Sequence, residues 1–76
     1  MKELILYLEQ GRTIIIRNLK ELWIEYSYAW GCWHLCFRDS EYEQYVIYGS
    51  YDLKLLREKK NKIMKAYEEG NKSIRV

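Results

Sequence analysis

Proline is absent from these 76 residues, glycine occurs four times, cysteine twice and histidine once. Each scarcity excludes something. Without proline and with so little glycine, nothing marks a disordered linker or a low-complexity tract. The four glycines stand apart from one another, so no glycine-rich phosphate loop is present and each reads as a turn or cap residue. No second cysteine or histidine couple exists to complete the usual zinc knuckle. No apolar run approaches the roughly 20 residues that span a bilayer. The opening M-K-E-L-I-L-Y-L-E-Q is broken by acids and followed by no small-residue cleavage site, which argues against a signal peptide. These absences point to a cytoplasmic chain with no membrane partner and no cofactor.

What is abundant is aromatic side chain, 16% of the residues. That matters in so short a chain, which buries only about 60% of its unfolded surface and needs a dense core. The net charge of +2 conceals an asymmetry. Residues 1–50 carry five Lys/Arg against seven Asp/Glu, net −2, and residues 51–76 carry eight against four, net +4. A basic C-terminal segment suits an acidic partner or a polyanion, although the excess is modest for nucleic-acid binding.

The stretch from Trp23 to Asp39 reads as a β-hairpin. A two-residue loop at Gly31-Cys32, with glycine first, suits a type II′ turn. It sets Trp30 opposite Trp33, Tyr28 opposite Leu35, Tyr26 opposite Phe37 and Glu25 opposite Arg38. Side chains alternate faces along a strand. One face is then Ile24, Tyr26, Tyr28, Trp30, Trp33, Leu35 and Phe37. The other carries Glu25, Ser27, Ala29, His34, Cys36 and Arg38.

On either side of the hairpin the chain alternates similar signals. Met1, Leu4, Ile5 and Leu8 follow a helical stripe ended by Gly11, and the expectation is a short N-terminal helix. The competing reading is a strand that turns at Gln10-Gly11. Thr13 to Arg17 is β-branched and reads as a strand beside the hairpin, with Ile16 against Ile24 and Ile14 against Tyr26. Residues 39–43 form a polar loop, and Gln44 to Tyr48 a fourth strand whose Tyr45 and Ile47 join the aromatic face. Ser50 is the expected N-cap, with Asp52 favourable in the first turn, of a helix from about Tyr51 to Glu69, ended by Gly70, with Leu53, Leu56, Ile63, Met64 and Tyr67 on one side. The expected architecture is α+β: a four-stranded antiparallel meander with the C-terminal helix and a short N-terminal helix on one face. Residues 1–70 form one compact domain and 71–76 a frayed tail.

No catalytic constellation accompanies this fold, and the chain is read as non-enzymatic. Cys32, His34 and Cys36 alternate on one side of the hairpin, so they are the candidate metal ligands. A fourth ligand would have to come from a carboxylate, water or another subunit, and the plain reading is a surface histidine between two small apolar thiols. Extended over four residues, the two cysteines lie roughly 13 Å apart, too far for a disulfide. Reduced thiols fit the cytoplasm. His34 and Cys36 also lack the approach and the orienting carboxylate of a nucleophilic dyad.

The expected role is that of a small interaction module occupying a partner protein's surface, with the size of stand-alone inhibitors that phages and mobile elements encode. Two features motivate it. The face assigned to solvent keeps Ile15, Trp23, Cys36, Val46 and Tyr48, an apolar patch of the kind found at interfaces. Lys60 also falls inside the helix's apolar stripe, where its stem either snorkels over the core or meets an acidic partner. The expected contacts are Trp23, Glu25, His34, Arg38 and Tyr48 on the open face, Glu41, Tyr42 and Glu43 in the loop, and Lys60. A single-stranded nucleic acid, stacked on that face and held by the basic helix, is the alternative partner. A homodimer burying the same face is the third reading.

Overall fold

A computed structural model describes residues 2–76 and shows an α+β architecture of six strands and one long helix. The strands are β1 (Glu3–Tyr7), β2 (Thr13–Arg17), β3 (Glu21–Ser27), β4 (Cys32–Arg38), β5 (Tyr45–Ser50) and β6 (Ser73–Arg75), and the helix is α1 (Leu53–Glu68). They form two three-stranded sheets, ordered β2-β1-β6 and β3-β4-β5, in place of the expected four-stranded meander. The second sheet is an antiparallel meander; the first pairs β1 antiparallel with β2 and parallel with β6.

The N-terminal segment is a strand, not a helix. Leu4 to Leu8 is continuously apolar and satisfies period two as well as period 3.6. A helix of that length is marginal in water, whereas β1 gains a ladder on both sides. Leu4 and Leu6 are fully buried, and the chain reverses through Gln10 and Gly11, both at positive φ. Met1, the first residue of the expected stripe, lies outside the described residues.

β2 consequently pairs with β1, with Ile16 opposite Leu4 and Ile14 opposite Leu6, and not with β3. Ile14 and Ile16 still face the core as expected. The crossing to the second sheet is made by Asn18, which holds φ 57°, a conformation asparagine tolerates better than most residues. Leu19 N–H then donates to the Tyr67 hydroxyl at 2.8 Å. The tail expected to fray is β6: Ile5 N–H donates to Lys72 O, and Val76 N–H to Tyr7 O. Ile74 and Val76 pack against the core.

α1 starts and stops within two residues of its expected limits. The N-cap is Asp52 and not the expected Ser50: Asp52 accepts from Leu55 N–H at 3.2 Å, while Ser50 Oγ accepts from Asp52 N–H. At the other end Asn71 N–H reaches Ala66 O and Gly70 N–H reaches Tyr67 O. This is the Schellman pairing that a glycine at positive φ permits. Leu56, Ile63 and Ala66 are buried and join apolar residues of both sheets in one cluster. Neither sheet closes a core alone.

Asp39, expected in a polar loop, is the one buried charged residue among the described residues, 4% exposed. Its carboxylate accepts from Arg17 N–H, Glu41 N–H and Tyr42 N–H, each at 2.8 Å. Ser40 adds its N–H and Oγ–H to Arg17 O. The loop after β4 is thereby fastened to the end of β2, in the other sheet. Burial alone raises a carboxyl pKa, but the three backbone donors and the nearby Arg17 charge outweigh it and hold Asp39 below its usual value. Asp39→Ala leaves those donors without a partner and is expected to cost about 2–4 kcal/mol in chemical denaturation. Because the folded value is depressed, the stabilisation is complete above the ordinary Asp pKa of about 4 and is lost as pH falls through the lower folded value. Asp39→Asn should therefore show a flatter acid limb than the wild type in denaturation followed by circular dichroism.

Candidate functional site

The register of β3 and β4 decides which side chains the hairpin offers. Ser27 pairs with Cys32, Tyr26 with Trp33, Glu25 with His34, Trp23 with Cys36 and Glu21 with Arg38. Relative to the expected two-residue turn, the pairing is displaced by an even number of residues. Both faces keep their side chains, but the loop lengthens to Tyr28-Ala29-Trp30-Gly31. Gly31 N–H donates to Ser27 O at 2.7 Å and Trp30 N–H to Ser27 Oγ at 3.3 Å, with Gly31 at φ 67°. Gly31 thus ends a four-residue turn instead of opening a two-residue one. Tyr28 and Trp30, expected under the helix, stand at the tip, 91% and 74% exposed.

A third ring joins them. Tyr51 follows Ser50, which pairs with Trp33 beside the turn, and it is 82% exposed. Inward from the tip, Tyr26 meets Tyr28 edge to face at 5.0 Å and Trp33 at 5.2 Å. These rings form a continuous aromatic path from the tip toward α1. The sequence signal for them was the turn itself. Tyr-Ala-Trp-Gly suits a four-residue loop with an αL glycine at its end as well as it suits a strand continuing to Trp30.

The face turned away from α1 holds Trp23, Glu25, His34 and Arg38, all half-buried, as expected. Their partnerships differ from expectation. Glu25 lies opposite His34, and its Oε1 accepts from Trp23 Nε1–H at 2.6 Å. Arg38 pairs with Glu21, at 3.4 Å. Gly49 lies beside His34, where a Cβ would come within 3.1 Å of the imidazole Cδ2.

Tyr48 is not on this face. A bulge between Leu35 and Cys36 leaves Ile47 without a direct partner and turns Tyr48 opposite Leu35, on the helix side. There Lys59 Nζ sits 4.7 Å from its ring centroid. The expected apolar patch also divides. Ile15 belongs to the other sheet, Cys36 is fully buried, and Val46 remains at the surface.

The 39–43 loop is likewise occupied internally. Glu41 pairs with Arg17 at 3.3 Å, and Glu3 bonds the same guanidinium at 3.0 Å. Glu3 first and then Glu41 raise the Arg17 pKa further above its ordinary value. Tyr42 packs edge to face on Phe37 at 6.3 Å and lies 5.0 Å from Tyr45. Glu43 is exposed.

Cys32, His34 and Cys36 share a side but do not converge. Among the described residues no three His, Cys, Asp or Glu side chains are placed to hold a metal ion. Burial, and then the Glu25 charge, push the Cys36 thiol up to about 11 against a weak opposing contact from Gln44. A thiol so protonated at neutral pH is neither a ready nucleophile nor a ready ligand.

Between the β3 side of the second sheet and α1 lies a hollow of about 470 Å³ lined by Trp23, Ile24, Trp33, Leu53, Arg57 and Lys60. A second, of about 480 Å³, continues along β3 past Leu22 and Met64 and shares Lys60 as its wall. Lys60, anomalous in the helical stripe, is the half-buried post between the two.

Comparison with protein-family models, with curated proteins and with solved structures finds no match.

The two thiols provide a direct check on this geometry. Iodoacetamide at mildly alkaline pH should alkylate half-buried Cys32 in the folded protein and reach Cys36 only after denaturant is added. Equal rates, read by mass spectrometry, would show that Cys36 is not sealed from solvent in the folded protein.

Proposed function

We propose that this chain is a small non-enzymatic binding module that occupies the surface of a partner protein. The observation that carries the reading is the grouping of Tyr28, Trp30 and Tyr51 at one end of the β3-β4-β5 sheet, each largely in solvent. Large rings bury much area at small entropic cost, and Trp and Tyr dominate the energetics of protein interfaces. Nothing in the packing of the core requires Tyr28 or Trp30 to be aromatic. Where the partner's covered surface is itself functional, the module acts as an inhibitor. Two unpaired cysteines support a reducing, cytoplasmic setting. Among the described residues no helix is long and apolar enough to cross a membrane.

A single-stranded nucleic acid is the second reading. What favours it is the exposure of those rings, since base stacking on an aromatic is worth about 1–3 kcal/mol per base. Arg57 lines the hollow to which the aromatic path leads. Against it stand Glu21 and Glu25 on β3.

The double variant Tyr28→Ala/Trp30→Ala should keep its thermal midpoint, because exposed side chains away from the core change stability by about 0.5 kcal/mol or less. In quantitative affinity capture from host lysate it should lose the proteins that wild type retains, while His34→Ala keeps them. Retention of the same proteins by the tip variant would sink the reading. In fluorescence anisotropy a labelled thymidine oligomer should not bind at low salt. Tight, salt-sensitive binding abolished by the tip variant would transfer the function to nucleic acid.

A further inference from the structure

β3 is an outer strand of its sheet, and its free side opens onto the groove beside α1. At about 3.3 Å per residue its seven residues offer roughly 23 Å of unpaired backbone. In an antiparallel pair alternate residues point N–H and C=O away from the partner strand, which makes such an edge a template for another strand. The other outer strands are less suited to this. β2 is fastened at Arg17 by Asp39 and Ser40, β5 carries the bulge, and β6 has three residues.

We propose that the β3 edge and the groove beside it receive an extended, acidic segment of a partner protein as a fourth strand of this sheet. The inference rests on reading the chain as a protein-binding module and adds a second contact, continuous with the tip through Tyr26 and Trp33. Charge selects the occupant. Arg57 and Lys60 line the first hollow, and none of its lining residues is acidic. The ion pairs among the described residues are Arg17 with Glu3 and Glu41, and Arg38 with Glu21, so both groove cations lack a carboxylate partner. The second hollow along the same edge sets Lys2, Lys20 and Lys60 against Glu21 and Glu68, so cations still prevail there. On the opposite side of β3, Glu25 favours a neutral or basic neighbour. The incoming strand therefore carries acids and one apolar residue toward α1, and neutral or basic side chains outward. Ile24, Trp33 and Leu53 receive the apolar residue. A second copy of this chain fits poorly, because pairing β3 with itself brings two Arg57/Lys60 sets toward one another.

The probe is the synthetic peptide Thr-Asp-Thr-Leu-Thr-Asp-Thr, with a control in which lysine replaces aspartate, each titrated into the whole chain labelled with nitrogen-15. Binding should move β3 and α1 amide resonances and slow hydrogen exchange at alternate β3 amides. Arg57→Glu/Lys60→Glu should weaken it by about tenfold or more, Lys60→Gln less, and about 0.5 M salt should weaken it for wild type. Tyr28→Ala/Trp30→Ala should bind the peptide as wild type does, so that loss of the tip reading and loss of the groove reading are separable. The inference is overturned by silence of the β3 amides at about 2 mM peptide, a concentration that detects even weak millimolar affinity. Equal binding of the lysine control would also overturn it. So would concentration-dependent protection of β3 without peptide, which would identify a second copy as the occupant.

Discussion

Three backbone N–H groups converge on the buried carboxylate of Asp39, and the joint between the two sheets depends on that convergence. β2 ends there and the loop after β4 begins there, so one side chain sets the approach of two sheets that share no strand. A buried charge survives only when its hydrogen-bonding capacity is met by well-placed donors. Once it is met, the geometry is hard to rearrange, because every alternative leaves an ionised group dry.

The apolar arrangement follows from this joint. Each sheet presents one greasy face, and both are closed by Leu56, Ile63 and Ala66 of α1. The helix packs against strands of both sheets, which leaves part of its apolar stripe beside β3 uncovered. That stretch contains Lys60 and borders the groove. The surface of interest is thus a by-product of one helix serving two sheets. The hairpin tip projects from the same region, and its rings are held by the backbone turn at Ser27 and Gly31 rather than by the core.

Local pattern made much of this legible. The faces of β3 and β4, the inward turn of Ile14 and Ile16, and the ends of α1 all follow from periodicity and capping, which neighbouring residues set. The candidate site was legible only in part. Trp23, Glu25, His34 and Arg38 do share a face, but alternation cannot distinguish pairings that differ by an even number of residues, since every side chain keeps its side. The displacement left the faces intact and carried Tyr28 and Trp30 out of the core. One inserted residue, Ile47, had the opposite effect and moved Tyr48 across the sheet.

By itself the sequence determined an α+β chain with a capped C-terminal helix, a central hairpin of defined faces and no recognisable catalytic constellation. Tertiary structure alone decided the partners of β1, β2 and β6. Leu4 to Leu8 suits a helix until β2 and β6 are placed beside it, and Ser73 to Arg75 has no reason to be a strand except the free side of β1. Strand partnership is a long-range property. It depends on which apolar faces are buried together and which backbone groups would otherwise go unpaired, and no window of neighbouring residues contains that information.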